Sequence, residues 1–263
     1  MMNSYFLPLL ISLAIPAFFI YAFCVARPPS ASIPFFATGR KNILLVTAHP
    51  DDECMFFGPT LLNLQKTSQV HVLCLSKGNH DKLGAIREKE LVDSCKVLGV
   101  KPENAYSLDH PELPDHPTKV WHAAVVAKTV EEYVTKHKID MILTFDTYGI
   151  SSHVNHISTY FGIKYMLASS AKYNFDNLPT YTLTTVPLVR KYISFIDVLF
   201  SISSIFQEPS AVPQTMTFVS SPKEVMKARE AMTCHKSQLV WFRQLYIIFS
   251  RYMFVNVLEK LEK

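Results

Sequence analysis

The sequence has little of what several large functional classes require. Its 263 residues include only seven glycines, and neither GxGxxG nor GxxxxGK[ST] occurs, so a glycine-rich phosphate loop is not expected. The net charge of +4 is small. No basic stripe with interleaved aromatic residues is present, so nucleic-acid binding is not predicted. The length suits one α/β domain with an appendage, or at most two small domains.

Cysteine is scarce and scattered along the chain. The five cysteines are odd in number and form no CxxC pair, and several lie in patterns typical of strand or helix interiors. This usage indicates a reducing compartment, where cysteine acts as a small buried apolar residue. The absence of any Asn-x-Ser/Thr sequon agrees with a domain that does not meet the glycosylation machinery.

Charge is absent from the N-terminal residues 5–26, which are long enough to span a bilayer core of about 30 Å. The first charges, Arg27, Arg40 and Lys41, all follow this stretch and predict that its C-terminal side faces the cytosol. A cleaved signal peptide is the alternative. It is less favoured, because a basic n-region is missing and the apolar stretch is too long.

The rest of the chain alternates between strand and helix patterns. Strands are predicted at 42–48, 69–76 and 140–145, with weaker ones at 104–108, 180–186 and 215–220, and helices at 53–67, 83–99 and 121–138. Such alternation predicts a Rossmann-like α/β fold, a mostly parallel sheet with helices on both faces. The predicted organisation is therefore a membrane anchor (1–26), a linker (27–40) and one catalytic domain (41–263).

Two polar clusters follow predicted strands. The first is AHPDDE at 48–53, and the second is the pair His153 and His156 in DTYGISSHVNHIS at 146–158. If the strand order is 3-2-1-4-5, strands 1 and 4 are neighbours and both clusters meet where the strand order reverses. Ser151 or Ser152 is expected to cap the helix that carries the histidines.

The converged side chains match the donors of a metal site. They are His49, Asp51, Asp52, Glu53, His153 and His156. Two imidazoles and a carboxylate with open positions are typical of catalytic Zn²⁺, or less commonly Fe²⁺, and the ion would stabilise carboxylates that are otherwise costly to bury. Water attack on an amide or ester carbonyl is the natural reaction. Taken singly, each cluster could instead be a capped turn or an exposed helix face.

These motifs resemble those of the PIG-L/LmbE-like zinc deacetylases. The stretches REKELVDSCKVLGV, LVRKYISFIDV and CHKSQLVWFRQLYIIFSRYM are similar to the eukaryotic branch of that family. The resemblance implies removal of the N-acetyl group from N-acetylglucosaminyl-phosphatidylinositol, the second step of GPI-anchor synthesis. It also implies an endoplasmic reticulum membrane protein with a single membrane pass, whose catalytic domain faces the cytosol.

The resemblance also assigns roles to individual residues. It implies zinc ligation by His49, Asp52 and His156, a general base at Asp51, support of the tetrahedral intermediate by His153, and substrate binding by Arg87. Asn155 stands where bacterial relatives often carry Asp, which puts a carboxylate partner for the ligands in doubt.

Other features leave alternatives open. Residues 109–120 are expected to form a loop at the substrate rim, while 188–206 and 241–255 are either membrane-interface segments or ordinary core helices. His235 is interpreted as a core or solvated histidine, and Glu53 has no firm role. A deacetylase acting on another amino-sugar conjugate and a non-catalytic subunit of a membrane complex are the competing functions. The oligomeric state is not predicted.

Overall fold

The computed structural model describes residues 6–26, 35, 39–169, 175, 177–205, 210 and 212–262, with side chains of the first helix described from residue 11 onward. The strands are β1 (Asn42–Thr47), β2 (Gln69–Cys74), β3 (Ala105–Ser107), β4 (Met141–Phe145), β5 (Thr180–Leu183), β6 (Thr215–Val219) and β7 (Val255–Lys260). Within the described residues they form one seven-stranded sheet in the order β3-β2-β1-β4-β5-β7-β6.

The sheet is mostly parallel, as the sequence predicts. The strands β1 to β5 pair in parallel, with Ile43 opposite Val70 on one side and opposite Met141 on the other. The central strands are continuous apolar runs because both of their faces are covered: Leu44, Leu45 and Leu143 have no exposed surface. β7, which the sequence patterns did not reveal, inserts antiparallel between β5 and β6.

Helices connect the strands. They are α1 (Phe6–Ala26), α2 (Asp52–Phe56), α3 (Gly58–Leu64), α4 (Gly84–Val97), α5 (Ala123–His137), α6 (Gly149–Ser152), α7 (Val154–Ser169), α8 (Leu188–Lys191), α9 (Ile202–Ile205), α10 (Pro222–Cys234) and α11 (Trp241–Phe249). The helix predicted at 53–67 is broken in two. The break falls at Phe57, whose backbone leaves the helical region (φ −110°, ψ 9°), and at Pro59, which has no N–H to donate.

The connections place a crevice between β1 and β4. From β1 the chain moves outward to β2 and β3, and it then returns to add β4 and β5 on the other side of β1. Right-handed crossovers put the helices of these two halves on opposite faces of the sheet. α5 packs against α7, while α10 packs against α4, α3 and α2. The strand order therefore reverses at β1 and β4, where open α/β sheets bind ligands.

The N-terminal helix differs from the prediction. Over the residues that the structure describes, no helix combines the length and apolar character needed to cross a membrane. The end of α1 packs on the domain instead: Ala17, Tyr21 and Cys24 are buried. The Tyr21 hydroxyl donates to the Ser220 carbonyl at 2.6 Å. The predicted single-pass anchor is therefore not supported, and most of the predicted linker at 27–40 lies outside the described residues.

Candidate metal centre

The two polar clusters meet at the carboxyl ends of β1 and β4. His49 Nδ1 lies 3.2 Å from His156 Nε2, and Asp52 Oδ1 lies 3.2 Å from the same His156 nitrogen. His49 Nδ1 and Asp52 Oδ2 are 3.8 Å apart. All three residues are at least nine-tenths buried. Two imidazole nitrogens and one carboxylate thus converge on a single point.

The spacing of these atoms suits a tetrahedral metal ion. Bonds of about 2.0–2.1 Å to Zn²⁺ place neighbouring donors of a tetrahedron roughly 3.3 Å apart. The 3.2 Å separations of His156 Nε2 from His49 Nδ1 and from Asp52 Oδ1 are close to this value, while the 3.8 Å separation of His49 Nδ1 is measured to the other Asp52 oxygen, Oδ2. The ring nitrogens of His49, His153 and His156 also lie within 4.8 Å of one another. Two sets of three donors are therefore possible. Both contain His49 and His156, and the third donor is either Asp52 or His153.

His156 is held in one orientation by its surroundings. Its Nδ1 lies 2.9 Å from the Gly149 carbonyl oxygen, and its ring stacks on Phe145 with the centroids 4.1 Å apart and the planes at 1°. Donation from Nδ1 to a carbonyl leaves the Nε2 lone pair free for a metal. Gly149 has a φ of +58°, and a Cβ there would lie 2.7 Å from the His156 Cβ.

His49 has a carboxylate partner that the sequence did not reveal. Its Nε2 lies 3.2 Å from Asp115 Oδ1 and 3.1 Å from Asn155 Oδ1. Burial opposes protonation of His49, but Asp115, together with Asp52 and Asp51, outweighs burial and raises the His49 pKa. Burial would raise the pKa of Asp115, but His49, Arg87 and the His80 N–H together lower it to about 2. Asp115 comes from the predicted rim loop and supplies the carboxylate that Asn155 does not.

Asp52 is ionised and fixed by its own backbone. Its Oδ2 accepts the N–H groups of His49 at 2.8 Å and Ala48 at 3.1 Å. Burial alone would raise the pKa of Asp52, but His156, His49 and the His49 N–H lower it well below its usual range. A negative carboxylate therefore faces the converging imidazoles, as a metal site requires.

Asp51 adopts a strained backbone beside this cluster. Its φ of 118° lies in the left-handed region, which costs a non-glycine residue of the order of 1–3 kcal/mol. The Asp51 N–H donates to Glu53 Oε2 at 3.0 Å. The Asp51 carboxylate contacts Arg243 of α11 and lies 3.6 Å from Arg87 Nη2.

Glu53 has a buried histidine partner. Glu53 Oε1 lies 2.7 Å from His235 Nε2 and accepts the Ser94 hydroxyl at 2.5 Å, and neither Glu53 nor His235 has any exposed surface. Burial would raise the pKa of Glu53, but His235, Ser94 and the Asp51 N–H lower it. Burial would lower the pKa of His235, but Glu53 raises it. His235 is therefore a core histidine with a charged partner.

Arg87 forms part of the wall of the site. Its guanidinium donates to the Pro50 carbonyl at 2.8 Å and the Gly78 carbonyl at 3.0 Å. It also lies 3.4 Å from Asp115. With 7% of its surface exposed, Arg87 holds the turn before Asp51 in place. A role in substrate binding stays a prediction.

His153 lies beside the ligand set and is partly exposed. Its Nδ1 accepts the Asn155 N–H at 3.2 Å, so His153 caps α7, and the predicted Ser151 or Ser152 cap is wrong. Burial, then His49 and His156, lower the pKa of His153 to about 4. The neutral ring therefore carries its proton on Nε2, which is a hydrogen-bond donor.

Comparison with solved structures shows that the fold is shared with a known protein. A deacetylase of the teicoplanin biosynthesis pathway superposes with a TM-score of 0.56, covering 83% of this chain and 97% of that one at 14% identity. The two proteins share the α/β fold; in the described residues of this chain, ionisable side chains lie at the switch point of a mostly parallel sheet.

Comparison of sequences gives the family. The chain belongs to the PIG-L family, whose sequence model, described as GlcNAc-PI de-N-acetylase, matches residues 44–167. It is 38% identical over 240 residues to the N-acetylglucosaminyl-phosphatidylinositol de-N-acetylase of Bos taurus, covering 89% of this chain and 88% of that protein. The Saccharomyces cerevisiae protein of the same name is 31% identical, covering 83% of this chain and 81% of that protein.

Proposed function

We propose that the protein is a metal-dependent hydrolase that removes the N-acetyl group from N-acetylglucosaminyl-phosphatidylinositol to give glucosaminyl-phosphatidylinositol, a step of GPI-anchor biosynthesis. The observation that carries the proposal is the convergence of His49, Asp52 and His156 with Asp51 beside them. The proposed substrate is the one named for the bovine and yeast relatives. A secondary amide needs an electrophile and a base, and this cluster contains candidates for both roles.

The proposed metal ligands are His49, Asp52 and His156, and Zn²⁺ is the proposed ion. When bound, it would polarise the acetamide carbonyl and lower the pKa of a coordinated water. His156 and His49 present fixed nitrogens because Gly149 and Asp115 hold their opposite ring nitrogens.

The proposed base is Asp51. Its carboxylate takes a proton from the attacking water as the new C–O bond forms, and it returns that proton to the sugar nitrogen as the C–N bond breaks. The products are acetate and a free amine. Arg87 and Arg243 hold the carboxylate in position. The Nε2–H of neutral His153 donates to the carbonyl oxygen as negative charge develops there.

The proposed location is the cytosolic face of the endoplasmic reticulum membrane, as the resemblance to the family implies. The five cysteines are all free thiols, which agrees with a reducing compartment. Exposed phenylalanines on α1, such as Phe18 and Phe19, agree with an environment that contains lipid.

The first experiment measures acetate release from the glycolipid in detergent micelles together with the zinc content of each variant. Asp51→Asn is expected to retain zinc and lose most activity, by a factor of about 10²–10⁴. His156→Ala is expected to lose zinc and activity together. His153→Ala is expected to retain zinc, which distinguishes the two donor sets.

Chelation followed by addition of zinc is the matched control for metal dependence. Activity must disappear with the chelator and return with the ion. An Asp51→Asn variant that releases acetate at the parent rate would contradict the base assignment. A His156→Ala variant that keeps its zinc would contradict the ligand set.

A further inference from the structure

A cavity of about 500 Å³ lies beside the metal centre on the side of α11. Its lining includes Met55, Phe56, Tyr192 and the aromatic residues of α11. Arg243 is shared between the cavity and the site, because its guanidinium contacts the Asp51 carboxylate. The cavity therefore adjoins the position proposed for the base.

Two cations line this otherwise mostly apolar space. Lys191 and Arg243 are both lining residues, and of the described residues that line the cavity none is acidic. The Lys191 ammonium donates to the Ile150 carbonyl at 2.6 Å, and burial lowers its pKa. Arg243 is already paired with the Asp51 carboxylate, but Lys191 donates to a neutral carbonyl, so the cavity wall keeps a cation that favours an anionic ligand group such as a phosphate.

The side of α11 that lines the cavity is also largely exposed to solvent. Its exposed residues, which we name the α11 face, are Trp241, Phe242, Leu245, Ile248 and Phe249, with exposures of 73%, 55%, 47%, 45% and 50%. The spacing puts all five on one side of the helix, while Tyr246 faces the protein core. An exposed patch of this kind marks an interaction site.

Two other segments also expose apolar side chains. Leu188 and Val189 of α8 are 70% and 77% exposed, and Phe200 is 56% exposed. The 3-10 helix at 194–201 packs against α1, with the rings of Tyr21 and Phe195 at 5.8 Å.

We propose that the cavity and the α11 face form a phospholipid subsite, in which the phosphate of a membrane glycolipid lies against Lys191 and Arg243 while the α11 face enters the bilayer interface. The inference rests on the proposed function and extends it from the acetamide to the lipid end of the substrate. Charge and apolar surface are complementary to one molecule: an anion that is joined to acyl chains. Tryptophan and tyrosine are the residues that membrane interfaces favour.

The two tryptophans make this placement measurable. Trp121 is 2% exposed, whereas Trp241 is 73% exposed, so contact with lipid changes the fluorescence of Trp241 alone. The full-length protein is mixed with phosphatidylcholine vesicles whose acyl chains carry bromine, with and without phosphatidylinositol. We expect bromine to quench Trp241, with more quenching when phosphatidylinositol is present. Trp241→Phe should remove the quenched component.

Matched variants separate the phosphate contact from the apolar contact. Lys191→Met should lose the increase caused by phosphatidylinositol and keep the quenching by phosphatidylcholine, while Lys191→Arg should keep both. Phe249→Ser should weaken quenching at least two-fold. Met226→Ser, on α10 and 69% exposed, should leave it unchanged.

Two outcomes would overturn the proposal. The first is protein that sediments with brominated vesicles while Trp241 remains unquenched. The second is a lipid-independent shift of Trp241 emission that follows protein concentration together with a dimer in light scattering, which would assign the α11 face to a second copy. Neither outcome depends on acetate release, so failure of the lipid subsite and failure of the deacetylase assignment are distinguishable.

Discussion

The buried pair of Glu53 and His235 gives a sharp test of how the Asp51 turn is held. Glu53 accepts from His235, from the Ser94 hydroxyl and from the Asp51 N–H. Replacing His235 by alanine leaves a buried carboxylate without its main partner. Such a loss costs about 3–5 kcal/mol. This is a large part of a stability of about 5–15 kcal/mol.

Urea denaturation of Glu53→Gln, His235→Ala and the double variant Glu53→Met/His235→Leu measures this cost. We expect His235→Ala to lose about 3–5 kcal/mol, and we expect Glu53→Gln and the double variant to lose less, because neither leaves a buried charge unpaired. Glu88→Gln is the matched control, since Glu88 pairs with Lys77 at 3.2 Å while 41% of its side chain is exposed. Exposed pairs contribute about 0–1 kcal/mol.

The same variants test the link to the site. Glu53 Oε2 accepts the N–H of a residue with a φ of 118°, so its loss should relax the strained turn and reduce activity more than zinc content. A His235→Ala variant no less stable than Glu88→Gln would refute the reasoning. Parental activity in a folded Glu53→Gln variant would refute the positioning role alone.

Two further predictions concern a glycine and a helix cap. Gly149→Ala should weaken zinc binding about 10–100-fold in a chelator competition, because the new Cβ would lie 2.7 Å from the His156 Cβ. Gly39→Ala is the control: Gly39 also has a positive φ, +109°, but a Cβ there would meet no atom within 4 Å, so zinc binding should not change. Glu224→Gln should destabilise the fold by about 0.5–1 kcal/mol at neutral pH, because Glu224 caps α10 through Ser221 and pairs with Lys66 at 2.6 Å. The Glu224 pKa is lowered through Lys66 and Ser221 despite burial, so this stabilisation is present above the unfolded pKa of about 4.3. It is lost as pH falls through the folded pKa. The urea midpoints of the parent protein and of Glu224→Gln should therefore converge in acid, and a difference that stays the same would contradict the cap.

The sheet could be predicted because its central strands are long apolar runs. β1, β2 and β4 lie within the predicted ranges, and the order of the first five strands follows the one that the site required. β7 was missed because its sequence, VNVLEK, directly follows the aromatic and apolar segment at 241–254. The apolar residues of β7 look like a continuation of that segment and not like a separate strand. Its place is set by long-range pairing with β5 and β6, which local periodicity does not encode.

The candidate site was predictable only for residues near a strand end. His49, Asp52 and His156 belong to compact motifs, and the strand order brings them together. Asp115 and Arg243 do not belong to such motifs. Asp115 lies in a proline-rich loop, and Arg243 lies inside an apolar helix. Their contacts with His49 and Asp51 depend on how a loop and a late helix fold back, which no spacing in the sequence expresses.

The position of β7 orders the assembly of the protein during synthesis. Until the ribosome has delivered this strand, β5 and β6 have no partner on the side that it fills. The segment just before it carries His235 and Arg243, both of which contact the AHPDDE turn. A nascent chain therefore contains the histidines and aspartates of the site well before the residues that support them and the strand that completes the sheet have been synthesised.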